Sequence, residues 1–258
     1  GMGYANLGAY LMANGLPYDS EEGRQVAGAV TALMHCEAYA QSARIAERMG
    51  AYQEYQNNQE AQIRVLKRHR TAANKLEAWE GDLELTRAAK RAAKEMVELA
   101  EEHGVRNSQA TVSAPTGTIS FLMDCDTTGI EPDFSLVKYK KLVGGGSMTI
   151  VNNTVPPALS RMGYDPQQVA EIVEYIREHN SVVGAPHLQE EHYPVFDTAI
   201  GQRPIHHMGH LNMMAAIQPF MSGAISKTVN LPADITKEDI FDVYLEAWKM
   251  GLKAVAIY

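Results

Sequence analysis

Ser113-Ala114-Pro115-Thr116-Gly117-Thr118-Ile119-Ser120 follows the β-rich run Ala110-Thr111-Val112 and precedes Phe121, Leu122 and Met123. That order reads as a strand, a tight turn and the opening of a helix. The first N–H groups of a helix have no partner within it, and the peptide dipoles add positive character there. Gly117 permits close approach of the backbone, and Thr116, Thr118 and Ser120 bring hydroxyls beside those amides. Such a corner suits a phosphate. The stretch lacks the lysine of a P-loop and the three glycines of a dinucleotide fingerprint, so a strand-to-helix corner capped by Thr or Ser is the alternative.

The rest of the chain bounds the reading. With 258 residues there is enough length for a sizeable core, and 45% hydrophobic with 21% charged residues excludes wholesale disorder. A net charge of −8 argues against a nucleic-acid duplex or an anionic membrane as the main partner. Cys36 and Cys125 are far apart and outside any CxxC spacing, which suggests neither a disulfide framework nor a zinc ribbon and places the protein in the cytoplasm. No apolar run has the length of a membrane span. Gly1 ahead of Met2 reads as a tag remnant.

Helices are expected over residues 4–14, 20–49, 54–73 and 83–102, the second opened by Asp19 with Glu22 three residues on. Val26, Val30, Leu33, Cys36, Ala40 and Ala43 give it one buried stripe, which makes Cys36 a core residue. Residues 74–82 read as a loop, and Met96, Val97 and Ala100 turn inward. After the opening stretch, the run from Asp124 to Pro132 is a polar loop whose Asp124, Asp126 and Glu131 either hold a metal, act as acid and base, or simply cap and turn the chain. Lys138-Tyr139-Lys140-Lys141 leads to Gly144-Gly145-Gly146, which reads as a solvated face before a flexible turn, with a triphosphate cradle as the alternative.

Pro156 and Pro157 begin a short helix to Met162. Asp165 and Pro166 open another, with Val169, Ile172, Val173 and Ile176 inside. His206 and His210 share a face four residues apart, yet no Glu lies in the HExxH position and Met208, Met213 and Met214 give the helix a core character, so no metal is assigned. Residues 225–231 form a strand, Thr236 and Asp239 open a helix with the stripe Ile240, Val243, Tyr244, Ala247 and Trp248, and residues 253–258 form a last strand. Strand, helix and strand make a right-handed parallel unit. The chain closes inside that strand, with the expectation that the fold continues beyond Tyr258.

Taken together, these blocks resemble the catalytic subunit of ribonucleotide reductase, in particular its adenosylcobalamin-dependent class II form. The resemblance is carried by Ala114 to Ser120, by Thr127-Thr128-Gly129-Ile130-Glu131-Pro132, and by Lys140-Lys141-Leu142 with its glycines. It continues through Gly184-Ala185-Pro186-His187-Leu188, the run from Met213 to Thr228, Ala247-Trp248-Lys249 and Gly251-Leu252-Lys253-Ala254, with Leu16-Pro17-Tyr18-Asp19-Ser20 at the start. It implies a helix-rich α/β fold, a single domain over residues 1–258 that is part of a ten-stranded α/β barrel. It further implies that Ala114, Pro115, Thr116, Gly117 and Thr118 bind the phosphates of a ribonucleoside di- or triphosphate, and that adenosylcobalamin serves the parent enzyme without being held by this segment.

The departures carry equal weight. The family's radical cysteine lies on an Asn-Pro-Cys-type finger loop, and no such motif occurs here. Neither Cys36 nor Cys125 matches it, so no catalytic residue is assigned and the isolated chain is expected to be inactive. Thr198 stands where related class II sequences tend to have Cys, and Ile257-Tyr258 replaces the adjacent tyrosines of radical-relay enzymes. A phosphate- or nucleotide-binding module without chemistry, one half of a split enzyme completed by an N-terminal polypeptide, an inert fragment, and a self-associating scaffold are the alternatives.

Overall fold

Four short stretches of backbone line up side by side, all parallel. Met2 bridges Thr111, Ser113 bridges Ile225, and the two-residue strands β3 (Thr228–Val229) and β4 (Ala256–Ile257) pair in register. The computed structural model describes residues 1–79, 81, 83–141 and 147–258. Backbone bonds knit the arc together: Met2 N donates to Ala110 O at 2.7 Å, Ser113 N to Ala224 O at 3.1 Å, and Leu231 N to Tyr258 O at 2.9 Å. The extended runs expected at 110–112, 225–231 and 253–258 are therefore present, with regular pairing in each confined to a residue or two. Among the described residues the arc does not close into a barrel.

Helices fill the connections, as parallel strands require. α1 (Leu7–Ala13), α2 (Glu21–Met49), α3 (Tyr55–Asn74) and α4 (Leu83–His103) lie between Met2 and Thr111. α2 and α4 meet through small residues, Ala32, Ala40 and Ala43 against Ala89, Ala92, Ala93 and Ala100, all buried, which lets the two backbones approach. Ser20 caps α2 by accepting from Gly23 N at 2.9 Å, one residue later than the Asp19 cap expected; Asp19 is engaged by Arg24 at 3.0 Å instead. The buried surface of α2 is also wider than one stripe. Thr31, His35 and Ser42 are buried on it, each with a distant partner: Tyr4, Thr111 and Asn107.

Beyond the arc, β1 (Val137–Lys141) and β2 (Ser147–Val151) form an antiparallel hairpin, where the sequence offered a solvated face before a turn or a triphosphate cradle. Gly144-Gly145-Gly146 and Leu142 lie outside the described residues, as do Glu80 and Asp82 of the 74–82 loop. α6 (Val155–Arg161) and α7 (Pro166–His179) pack beside the hairpin around Leu159, Ile172 and Ile176, and Asp165 makes the capping box its sequence announces. α8 (His207–Ile217) buries Met213 and Met214 at the centre, against α1, α2 and α9 (Lys237–Lys249). His206 is the N-cap of α8 and accepts from Met208 N, so it does not share a helix face with the buried His210. On α9 only Val243 and Ala247 of the expected stripe are buried; Tyr244 and Trp248 face outward. No helix among the described residues is long and apolar enough to cross a membrane.

α1 packs tightly on the loop after the arc's second stretch, where Leu7 N also donates to Gly129 O at 3.3 Å. A Cβ on Gly8 of α1 would stand 2.4 Å from Glu131 O and 3.0 Å from Pro132 Cα, both backbone positions. Gly8→Ala therefore forces the helix and the loop apart, at a cost of about 1–3 kcal/mol. A urea midpoint that does not move on this substitution would refute the close approach.

Candidate functional site

The carboxyl ends of parallel strands are where an α/β fold gathers a site, because the loops that leave them converge. Here the loop after Ser113 and the ends of β3 and β4 open onto one cleft of about 600 Å³. Pro115, Gly117, Ser120, Thr228, Asn230 and Tyr258 line it from these ends, Cys125 to Phe134 supply its floor, and Lys138 reaches in from β1. Its rim is apolar and open, with Phe121 and Tyr258 both more than three-quarters exposed.

At the turn itself, Thr116 occupies the N-cap of α5 (Gly117–Leu122) in the left-handed region, φ 52°. Its side chain makes no capping bond. Thr116 Oγ1 accepts from Gly129 N at 2.6 Å and from Ser120 Oγ at 2.8 Å, which binds the turn to the following loop. Ser120 Oγ thus gives its proton inside the protein and Thr116 Oγ1 accepts from two protein donors, where the sequence sets both hydroxyls beside an anion. The first bond of the helix ladder runs from Ser120 N to Thr116 O, so the N–H groups of residues 117–119 precede the ladder. Gly117 and Thr118 are exposed, and a Cβ built on Gly117 meets nothing within 4 Å. Ala114 sits behind the turn, its carbonyl oxygen 2.7 Å from where a Cβ on Gly129 would be, a position whose φ of 47° also favours glycine.

The carboxylates below the turn are occupied. Asp126 Oδ2 accepts from Thr154 Oγ1 at 2.8 Å and its Oδ1 from Asn153 at 3.4 Å. Glu131 accepts from Thr228 N at 2.8 Å on one oxygen and from Lys227 Nζ at 2.7 Å on the other. Asp133 is buried, bonded to Asn152 and 3.5 Å from Lys138 Nζ, and burial raises its pKa against the pull of Lys138. Of the three sequence readings for Asp126 and Glu131, turning and tethering the chain is the one this geometry favours. Among the described residues no group of three His, Cys, Asp or Glu side chains is arranged to hold a metal.

Lys227 is the residue that reading the sequence missed. It sits in an alternating strand pattern that marks it only as polar, yet it is 2% exposed. Its ammonium donates at 2.7 Å to Glu131 Oε2, His210 Nδ1 and Thr228 O, three acceptors for three protons. Burial pushes its pKa down and Glu131 pushes it back up. His210 is held neutral, its pKa lowered to about 3 by burial and then by Lys227. Cys36 is buried on α2, where burial pushes its thiol up to about 12, and no nucleophile is expected from it. Cys125 lines the cleft, its N–H bonded to Ser120 O. Thr198 donates to Ile200 O in a buried turn.

Comparison with known proteins places this geometry. The family model described as "Ribonucleotide reductase, barrel domain" matches residues 1–258. A vitamin B12-dependent ribonucleotide reductase of Streptantibioticus cattleyicolor is 55% identical over all of this chain and 43% of its own length. One of Rhodopirellula baltica is 50% identical over all of this chain and 25% of its own. The chain thus spans under half the length of these relatives. Among solved structures, the class Id ribonucleotide reductase alpha subunit of Actinobacillus ureae superposes with a TM-score of 0.64 over the whole chain and 38% of that subunit, at 20% identity, a likeness of fold. With 100% of its residues aligned to relatives 50–55% identical and the family match running from end to end, the chain belongs to the ribonucleotide reductase barrel-domain family.

Proposed function

We propose that this chain is the substrate-holding part of a B12-dependent ribonucleotide reductase barrel. It binds the phosphates of a ribonucleotide whose ribose is reduced to deoxyribose in the complete enzyme. The observation that carries the reading is the exposed turn at Gly117, set over a nucleotide-sized cleft at the carboxyl ends of parallel strands. In this role the amides of residues 117–119 donate to phosphate oxygens, with Ala114, Pro115 and Thr116 holding the turn and Thr118 beside it. Glu131, one fifth exposed and anchored from behind by Lys227, presents a fixed carboxylate on the floor. The remaining strands of a ten-stranded barrel belong to the same proposal.

Adenosylcobalamin supplies radical initiation in such an enzyme, and the residues here do not fit it. Two clefts, of about 720 and 600 Å³, have the size of a nucleotide, and a corrinoid is bulkier than either. Both cysteines lack the finger-loop setting of the radical residue. The cofactor, the thiyl radical and the reducing pair are therefore assigned outside these residues, and no step is derived through them.

Gly117→Ala tests the reading. Added bulk there meets no protein atom, so the fold should keep its stability, and alanine suits a helix better than glycine. The methyl group instead occupies the approach to the turn. Calorimetric titration with a ribonucleoside diphosphate should show affinity reduced roughly tenfold, about 1.4 kcal/mol. Equal affinities for the two proteins would reject the turn as the phosphate site.

A further inference from the structure

The amino ends of the same parallel stretches carry a second groove, of about 480 Å³, remote in the fold from the turn at Gly117. Met221 and Lys253, which precede Ile225 and β4, line it together with Gln218 and with Arg68 and His69 of α3. Among the described residues lining it there is no Asp or Glu, although the whole chain carries a net charge of −8. Lys253 Nζ is spent on carbonyls, donating to Met221 O at 3.0 Å and Gly223 O at 2.9 Å with Ser222 O at 3.5 Å, so it contributes charge and no free donor. Arg68 is exposed and has neither a hydrogen bond nor an ion pair among the described residues.

Counting protons fixes what His69 offers there. Ser222 Oγ accepts from Ala110 N at 3.0 Å and from Thr111 N at 2.9 Å, which fills both of its lone pairs. It cannot also accept from Thr111 Oγ1, and Ser222 N donates to that hydroxyl at 3.2 Å. The threonine proton therefore goes to its remaining neighbour, His35 Nδ1, at 2.9 Å. A neutral His35 then carries its own proton on Nε2 and gives it to His69 Nδ1 at 2.6 Å. Burial keeps both rings neutral, so His69 holds its proton on Nε2, which has no acceptor among the described residues.

Gln218 gives an independent sign. It is 9% exposed, its Oε1 accepts from Lys253 N at 3.2 Å, and its Nε2 is left without a partner. Buried donors are nearly always paired, and an anion in the groove would supply the missing acceptor.

We propose that this groove binds a phosphate group, held by His69 Nε2–H, the Arg68 guanidinium and the Gln218 amide beside the positive charge of Lys253. Donors that converge from separate elements suit a tetrahedral anion, which accepts in every direction. Past His69 and Lys253 the groove continues into a cleft of about 720 Å³ walled by Tyr39, Asn58 and Gln62, with room for the body of a phosphate ester. The site requires nothing bound at the Gly117 turn.

Nitrogen-15 NMR of the histidine rings in the whole chain tests both halves of the argument. At pH 7 His35 and His69 should each appear as the Nε2–H tautomer, and a His69 proton on Nδ1 overturns the proposal. Inorganic phosphate should shift the His69 signals saturably with a Kd of about 1–10 mM, and potassium chloride at equal ionic strength should not. Arg68→Met removes no protein contact and should weaken this binding at least about fivefold, whereas Gly117→Ala should leave it within about twofold. Glycerol phosphate separates the two sources of the group: a response at least as strong as that to the free ion assigns an ester, and no response assigns inorganic phosphate. A His69 signal that phosphate leaves in place, a shift that chloride reproduces, or Arg68→Met binding like the wild type overturns the site. A response lost in Gly117→Ala would place the phosphate at the turn, overturning this inference and leaving the nucleotide reading intact.

Discussion

Lowering the pH from 7 to 5 is expected to cost the folded chain about 2 kcal/mol for each histidine it buries in neutral form. His35 and His210 are both fully buried, and His69 is largely so. Burial is the main cause in each case, and it brings His35 to about 2, His210 to about 3 and His69 to about 4 from an ordinary 6.5. His35 is wedged between Thr111 at 2.9 Å and His69 at 2.6 Å, so a proton on one imidazole meets the other, and Lys253 adds to the opposition.

The sign follows from which state takes up protons. Below 6.5 the unfolded histidines become charged while the folded ones stay neutral, down to the values just given. Stability is therefore complete above 6.5 and drains away as the pH falls through that window. Asp133 and Asp197, whose pKa values burial raises, act in the opposite sense. Urea unfolding at pH 7, 6 and 5 should show the midpoint falling steeply, with a slope of at least one to two protons taken up on unfolding. A midpoint independent of pH over that range would show that these rings are not buried neutral. His210→Asn should flatten the slope by about one proton.

Lys227→Ala should be the most damaging single truncation at the site, at about 3–5 kcal/mol. Removing the ammonium leaves the Glu131 carboxylate with only Thr228 N, and it strips His210 Nδ1 and Thr228 O of their donor. Much of this cost is the penalty of stranded partners and not the worth of the pair. Lys227→Met combined with Glu131→Gln should therefore recover a large part of the loss, because the neutral amide needs no counter-charge. Unfolding curves for the two single variants and the double variant test this directly. Additive losses would mean that Lys227 and Glu131 do not depend on each other.

Local chemistry made much of the frame legible. Asp165-Pro166 and Thr236-Asp239 announce helix starts because a cap is settled within four residues, and both boxes form. Where two adjacent residues cap equally well, local rules do not choose, and α2 starts from Ser20 while Arg24 draws Asp19 aside. The stripe on α9 was legible only in part: its period is real, but period does not say how wide a face is covered, and Trp248 remains 74% exposed. The hairpin was illegible because Val137-Lys138-Tyr139-Lys140-Lys141 carries too much charge to read as a strand, and its pairing depends on residues that follow the glycines. At the site, the turn declares itself through its glycine and its position after a strand. Lys227 does not, since its partners lie elsewhere in the chain, and Asp126 and Glu131 announce only a polar loop, their tethers to Thr154, Thr228 and Lys227 being set by distant residues.

That dependence has a kinetic side. The floor of the cleft is held by Ala9 N on Thr127 Oγ1 and by Lys227 on Glu131, pairs separated by 118 and 96 residues. Closing loops of that length is slow, and it is rewarded only once both ends are in place. During synthesis the alanine-packed helices α2 and α4 can associate as soon as they leave the ribosome, long before residue 227 has been made. The loop from Cys125 to Phe134 must wait for the strand that follows α8. The cleft is thus the last part of this chain to take shape, and a nucleotide arriving early would find the helices built and no floor to rest on.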